Sequence, residues 1–221
     1  MANPLRSNLG MRLLVFALAS LSFACLLGQF YGIWTMRFFG CWILLPAVLI
    51  LYIIAIRHPT APALWNNPRT WIIRGAIGGV VAAIGYDVYR LPFVLGGIPL
   101  YKPFSRFGEL LLASSEPRWL VHTVGWSYHF SNGAALGIMF LAFVTVFPRP
   151  PLRSGAVLWA LLVEVMLLLT PYATFFGLKM GTQFLLLTIS AHLIFGIVLG
   201  VYLNNALRIS PRDPLFPVGN S

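Results

Sequence analysis

The chain has 221 residues, 59% of them hydrophobic and 9% charged, with 15 Lys and Arg against 5 Asp and Glu for a formal charge of +10. A soluble domain carries about 25% charged residues, and a disordered chain combines low hydrophobicity with high charge. A mean hydropathy of +0.84 excludes both. No apolar run alternates with the period of two that a barrel strand needs, so the composition predicts an all-α polytopic membrane protein. Nucleic-acid binding is not expected, because the cations stand singly between apolar runs and form no basic stripe. They suit membrane topology and contact with anionic lipid headgroups instead. Cys25 and Cys41 form no CxxC and no disulfide framework.

About 20 apolar residues are needed to cross the hydrocarbon core. Six runs qualify: 13–34, 38–56, 75–95, 119–147, 155–176 and 183–203. They predict one six-span domain over 1–203 and a flexible cytoplasmic tail over 204–221, which holds Pro211, Pro214 and Pro217. Arg6 and Arg12 ahead of an apolar stretch also suggest a signal peptide, and Leu21 to Cys25 is a near miss for a lipoprotein cleavage site. The run continues to Trp34, however, and is long enough to span. Only Thr35, Met36 and Arg37 separate the first two runs, which predicts a tight helical hairpin.

Between 96 and 118 lies a long connection that is not a span. Phe104, Phe107 and Leu111 share one helical face there, predicting a short interfacial helix, either a plain connector or a lid. With both termini inside, nine cations fall on the inner side and five, Arg37, Lys102, Arg106, Arg118 and Lys179, on the outer. That split predicts an inner (cell) membrane protein with both termini cytoplasmic.

Ionisable residues within spans are costly and usually face the bundle interior or a water-filled cavity, and small residues mark the close-packed faces. Three helices place the two together. Gly75, Gly79, Ala83 and Asp87 recur every fourth residue, with Arg90 one turn on; His122, His129, Asn132, Gly133 and Gly137 share a face; so do Thr188, His192, Gly196 and Gly200. At 1.5 Å per residue Asp87, His129 and His192 lie about 12–15 Å below the outer ends of their spans, and Glu164 lies near the midplane. These groups are expected to converge on one outward-facing pocket. Pro171, seven residues past Glu164, is expected to break the fifth span and free the Leu167 carbonyl.

Asp87 and Arg90 read either as an internal ion pair or as an anion anchor oriented by a carboxylate. His122 and His129 cannot share one ion, being about 10.5 Å apart along a straight helix. His129, Asn132 and His192, with Asp87 or Glu164, could instead form a divalent-metal site, a proton relay, or the axial ligands (His129 and His192) of a b-type haem. Tyr86, Trp126 and Tyr128 fit aromatic belts and packing. Zinc-protease, phosphate-loop and serine-elbow motifs are absent.

Three functions fit these residues. The leading one is a membrane-embedded enzyme acting on a lipid or other lipophilic substrate, with His129 or His192 as acid/base, Asp87 as partner and Arg90 as anchor. The second is a proton- or metal-coupled transporter, weakened by the lack of two related halves. The third is a structural subunit whose glycine stripes bind partner helices or a second copy.

Overall fold

The computed structural model describes residues 4–59, 67–113, 115–147 and 151–207, with side chains from residue 9 onward. Among them the chain is helical throughout, with no strand. The elements are α1 (Pro4–Phe30), α2 (Met36–Phe39), a π-helical turn (Gly40–Leu44), α3 (Leu45–Arg57), α4 (Pro68–Leu95), α5 (Lys102–Leu111), α6 (Arg118–Val144), α7 (Leu152–Leu168), α8 (Tyr172–Phe175) and α9 (Thr182–Ala206).

Five helical units are long and apolar enough to cross a membrane: Leu9–Phe30, Met36–Arg57, α4, α6 and α9. Six are expected from the sequence, and the difference lies in the run 155–176. There α7 stops at Leu168 after 17 residues, short of the usual span length. Pro171 does not sit inside a helix with a freed carbonyl. The helix ends before it, and Thr170 returns its N–H (3.0 Å) and its hydroxyl (2.6 Å) to the Leu167 carbonyl. The chain then resumes as α8, with Pro171 supplying its N-cap. At the other end α9 runs to Ala206, three residues into the predicted tail; the rest of that tail, from 208, lies outside the described residues.

The hairpin between the first two spans is longer than three residues. Gly32 adopts φ 66°, and the Ile33 N–H returns to the Gly28 carbonyl (2.8 Å), so α1 closes at Phe30 with a left-handed cap. Thr35 then accepts the Phe38 N–H to start α2. The π turn has a local cause. Pro46 has no N–H for the Trp42 carbonyl, and one widened turn carries the chain past it, with the Leu45 N–H bonding Gly40.

Small residues set the packing. α4 lies between α6 and α9, α7 backs onto α9, and α1 and α3 cover the α4–α6 side. A side chain added at Gly79 would begin 2.0 Å from the Gly133 carbonyl oxygen, and one at Gly137 2.1 Å from that of Gly75. α4 and α6 therefore touch backbone to backbone and antiparallel. Gly196 and Gly200 meet Val157 and Arg153 of α7 in the same way. The opposite surfaces carry exposed Trp42, Leu45, Leu158 and Leu169, as lipid-facing helices require.

The amphipathic segment forms as α5, but it does not lie free at an interface. Phe104 and Phe107 are buried, and Gly108 and Gly125 let α5 press onto α6. α5 therefore roofs one end of the bundle.

Candidate functional site

From the Gly79–Gly133 contact, His129 lies one turn on along α6 and Asp87 two turns on along α4, and their side chains bridge that stagger. His129 Nε2 lies 2.8 Å from Asp87 Oδ2. Arg90, one turn after Asp87, places Nη1 3.6 Å from Oδ1, and both residues are buried. The Arg90 guanidinium stacks over Tyr86 (4.6 Å) and Tyr101 (5.3 Å) and donates to the Leu100 carbonyl. Tyr101 donates in turn to the Asp87 carbonyl (2.6 Å), and Phe104 stacks on His129 with centroids 4.0 Å apart. The loop before α5 and α5 itself thus seal this cluster. Burial, and next the nearby Asp87 charge, push the Tyr101 pKa upward, so its hydroxyl remains a donor.

A second pair forms between α7 and α9. The register that sets Gly200 against Arg153 and Gly196 against Val157 carries His192 to Glu164, with Nδ1 3.0 Å from Oε2. The same nitrogen lies 3.0 Å from the Thr188 carbonyl oxygen. Against a carboxylate and a carbonyl, Nδ1 is assigned the proton, which leaves Nε2 as the basic nitrogen of the neutral ring. By the same reasoning His129 carries its proton on Nε2, facing Asp87. Each carboxylate therefore fixes a tautomer, as the acid of a catalytic triad does for its histidine.

Tyr86 of α4 stands against both pairs, with its ring 6.2 Å from His129 and 5.1 Å from His192. The imidazoles both touch this ring and not one another, so they are no further apart than the sum of those distances. On the His192 side, Tyr86, Arg90, Glu164, Tyr172, Thr188 and His192 line a cavity of about 30 Å³, room for one or two waters. Its other walls are mostly apolar, with Leu168, Leu178 and the polar Thr170 around the α7–α8 break and Met180 and Phe184 near the start of α9. Two buried atoms on its lining residues have no hydrogen-bond partner: Arg90 Nε and Glu164 Oε1. Glu164 is 1% exposed and Arg90 4%, so water outside the protein does not satisfy them.

The six candidate residues thus divide. Asp87, Arg90 and His129 form one cluster; Glu164 and His192 form another, and Arg90 borders both. Asn132 belongs to neither. Its Oδ1 accepts from Ser22 of α1 (2.5 Å), beside the Tyr128 hydroxyl, which bonds the Ser22 carbonyl. His122 is exposed on a separate surface groove with Glu109 and Glu116. His129 and His192 take different carboxylates and not a common ion, and among the described residues no three His, Cys, Asp or Glu side chains converge to hold a metal.

Tyr86, whose sequence context suggests only packing, lines the cavity together with Tyr172. The position of Tyr86 next to Asp87 was the available signal, since a tyrosine beside an intramembrane carboxylate brings a polar tip that needs a partner.

These features define a protein that is all-helical among the described residues, with five helical units long and apolar enough to cross a membrane and two largely buried His–carboxylate pairs that meet at an arginine and a tyrosine. Residues 70–213, about two-thirds of the chain, match the DUF6789 family, described as a family of unknown function, and the chain belongs to it. The match spans Asp87, Arg90, His129, Glu164 and His192 and leaves out α1 to α3. No curated protein and no solved structure matches the chain.

Proposed function

We propose that the protein is an inner-membrane enzyme with an acid–base centre in the outer half of the bilayer, acting on a lipophilic substrate. α7 is about 25 Å long and crosses as a sixth span. The nine-to-five cation split supports an orientation with both termini in the cytoplasm and α5 outside. The observation that carries the reading is that Arg90 and the His192–Glu164 pair line one cavity whose remaining walls are mostly apolar. In this scheme Arg90 anchors negative charge, His192 moves a proton through Nε2, and Glu164 holds the ring and stabilises its charged form. Asp87 keeps Arg90 in place.

A proton relay is the second reading. It is favoured by the water-sized cavity and by the contact of Tyr86 with both imidazoles. One experiment separates the two. The full chain is placed in nanodiscs of a bacterial lipid extract, and lipid composition is followed by mass spectrometry for wild type and His192→Asn. Asparagine keeps a donor near Nδ1 and lacks Nε2. Conversion of a lipid by wild type and not by the variant supports the enzyme. Acid-driven proton flux in liposomes without lipid conversion supports the relay. Neither activity in folded protein refutes both and leaves the structural-subunit role.

A further inference from the structure

We infer that the cavity between α4, α7, α8 and α9 binds an oxyanion that still carries an acidic proton, of the phosphomonoester type, with the apolar walls favouring a lipid headgroup over free phosphate. The inference deepens the acid–base reading and rests on the same cavity. Three observations carry it.

The first is the pair of unmet hydrogen bonds. Arg90 Nε is a buried donor without an acceptor, and Glu164 Oε1 a buried acceptor without a donor. A ligand that satisfies both must accept on one side and donate on the other. A simple halide does only the first and a quaternary ammonium neither. Water does both, and so does a singly protonated phosphate; of these two only the phosphate also brings the negative charge that a guanidinium favours. Guanidinium is the side chain best suited to its oxygens.

The second is charge. With both histidines neutral, Arg90 stands against Asp87 and Glu164, and the cluster carries one net negative charge. Every titratable or charged group packed around His192 enters this count: Glu164 from α7, Tyr86, Asp87 and Arg90 from α4, His129 from α6 beyond Tyr86, and Tyr172 from α8. An anion added to a net negative site in low dielectric must bring protons with it. A phosphomonoester loses its second proton at about pH 6. The singly protonated form is the one this site favours, so affinity is higher at low pH and falls as pH rises.

The third is shape. Beside the polar groups, Leu168, Leu178, Met180 and Phe184 line the cavity. These residues offer nothing to an inorganic ion but can contact an acyl chain. In the form described the cavity has room for one or two waters, so admitting a headgroup requires the α7–α8 break to open.

The test uses the full chain in a non-ionic detergent with dioctanoyl phosphatidate, dioctanoyl phosphatidylcholine and inorganic phosphate, followed by titration calorimetry and thermal shift at about pH 6 and about pH 8. Phosphatidate should bind at least about tenfold tighter than phosphatidylcholine, and tighter at the lower pH. Arg90→Gln should abolish binding. Because that variant can fail to fold, Glu164→Gln is the second arm. It removes one negative charge and should tighten phosphatidate while flattening the pH dependence, an effect that a purely structural glutamate would not produce. Equal binding of inorganic phosphate assigns the same oxyanion site to a soluble anion and overturns the lipid preference. Equal binding of phosphatidylcholine, no anion binding by folded wild type, or weaker binding by Glu164→Gln overturns the inference. Binding without lipid conversion refutes the catalytic reading alone, and lipid conversion without phosphatidate binding refutes this inference alone.

Discussion

The Asp87–His129 contact depends on two helices touching through glycine, and Gly79→Ala tests that dependence. The added Cβ would lie 2.0 Å from the Gly133 carbonyl oxygen, and 2.7 Å from its carbon. Ordinary contact begins near 3.4 Å, and the obstacle is backbone, so no rotamer change relieves it. α4 and α6 must move apart by about 1 Å or more. Overpacking of this kind costs about 1–3 kcal/mol. The same displacement stretches the 2.8 Å Asp87–His129 hydrogen bond, and a bond to a charged group is worth about 1.5–3 kcal/mol. Alanine's better helix propensity returns up to about 1 kcal/mol. The net expectation is a loss of about 2–4 kcal/mol. Gly10→Ala in α1 is the control, since nothing lies within 4 Å of its added methyl, and it should leave stability unchanged or slightly raised. Reversible denaturation in mixed micelles, read by tryptophan fluorescence, gives both values. A Gly79→Ala protein as stable as wild type would refute the close-packed α4–α6 interface and, with it, the register that joins Asp87 to His129.

Asp87→Asn and Arg90→Gln should each lower the yield of monodisperse protein, by about 3–5 kcal/mol in stability, because each leaves a buried charge unpaired. The double variant should recover much of that loss, and one no better than the worse single variant would show that the two are not coupled. Phe104→Ala removes the ring stacked on His129 and should cost about 3–5 kcal/mol. It should also speed diethylpyrocarbonate modification of His129, read by mass spectrometry, and an unchanged rate would refute the role of α5 as a roof. For topology, single cysteines at Lys102 and Lys179 should label from outside and those at Arg69 and Arg153 from inside; the reverse pattern would overturn the proposed orientation.

Much of the architecture is local and could be read from the sequence. Apolar run length identifies the spans because the hydrocarbon core sets one length scale for every helix. The small-residue stripes identify the close-packed faces, since only residues lacking bulk let two backbones approach, and Asp87, His129 and His192 lie on those stripes. Helix breaks were less legible. Pro171 was visible, but whether a proline kinks a helix or follows its end depends on how neighbouring groups are satisfied, here by Thr170.

What one helix's residues cannot specify is the partner of each stripe. Gly196 and Gly200 face α7, so His192 meets Glu164; Gly133 and Gly137 face α4, so His129 meets Asp87; Asn132, one turn from His129, turns to Ser22 of α1. A stripe of glycines complements any other, and the choice among helices is made by the whole packing arrangement, including which faces are left for lipid. α4 has two such faces, with Asp87 on one and Tyr86 on the next, and that alone sets a tyrosine against both histidines. Periodicity therefore determined which residues are buried. Only the tertiary arrangement decided that they form two His–carboxylate pairs bordered by one arginine, because pairing is a contact between distant parts of the chain and leaves no periodic trace in either.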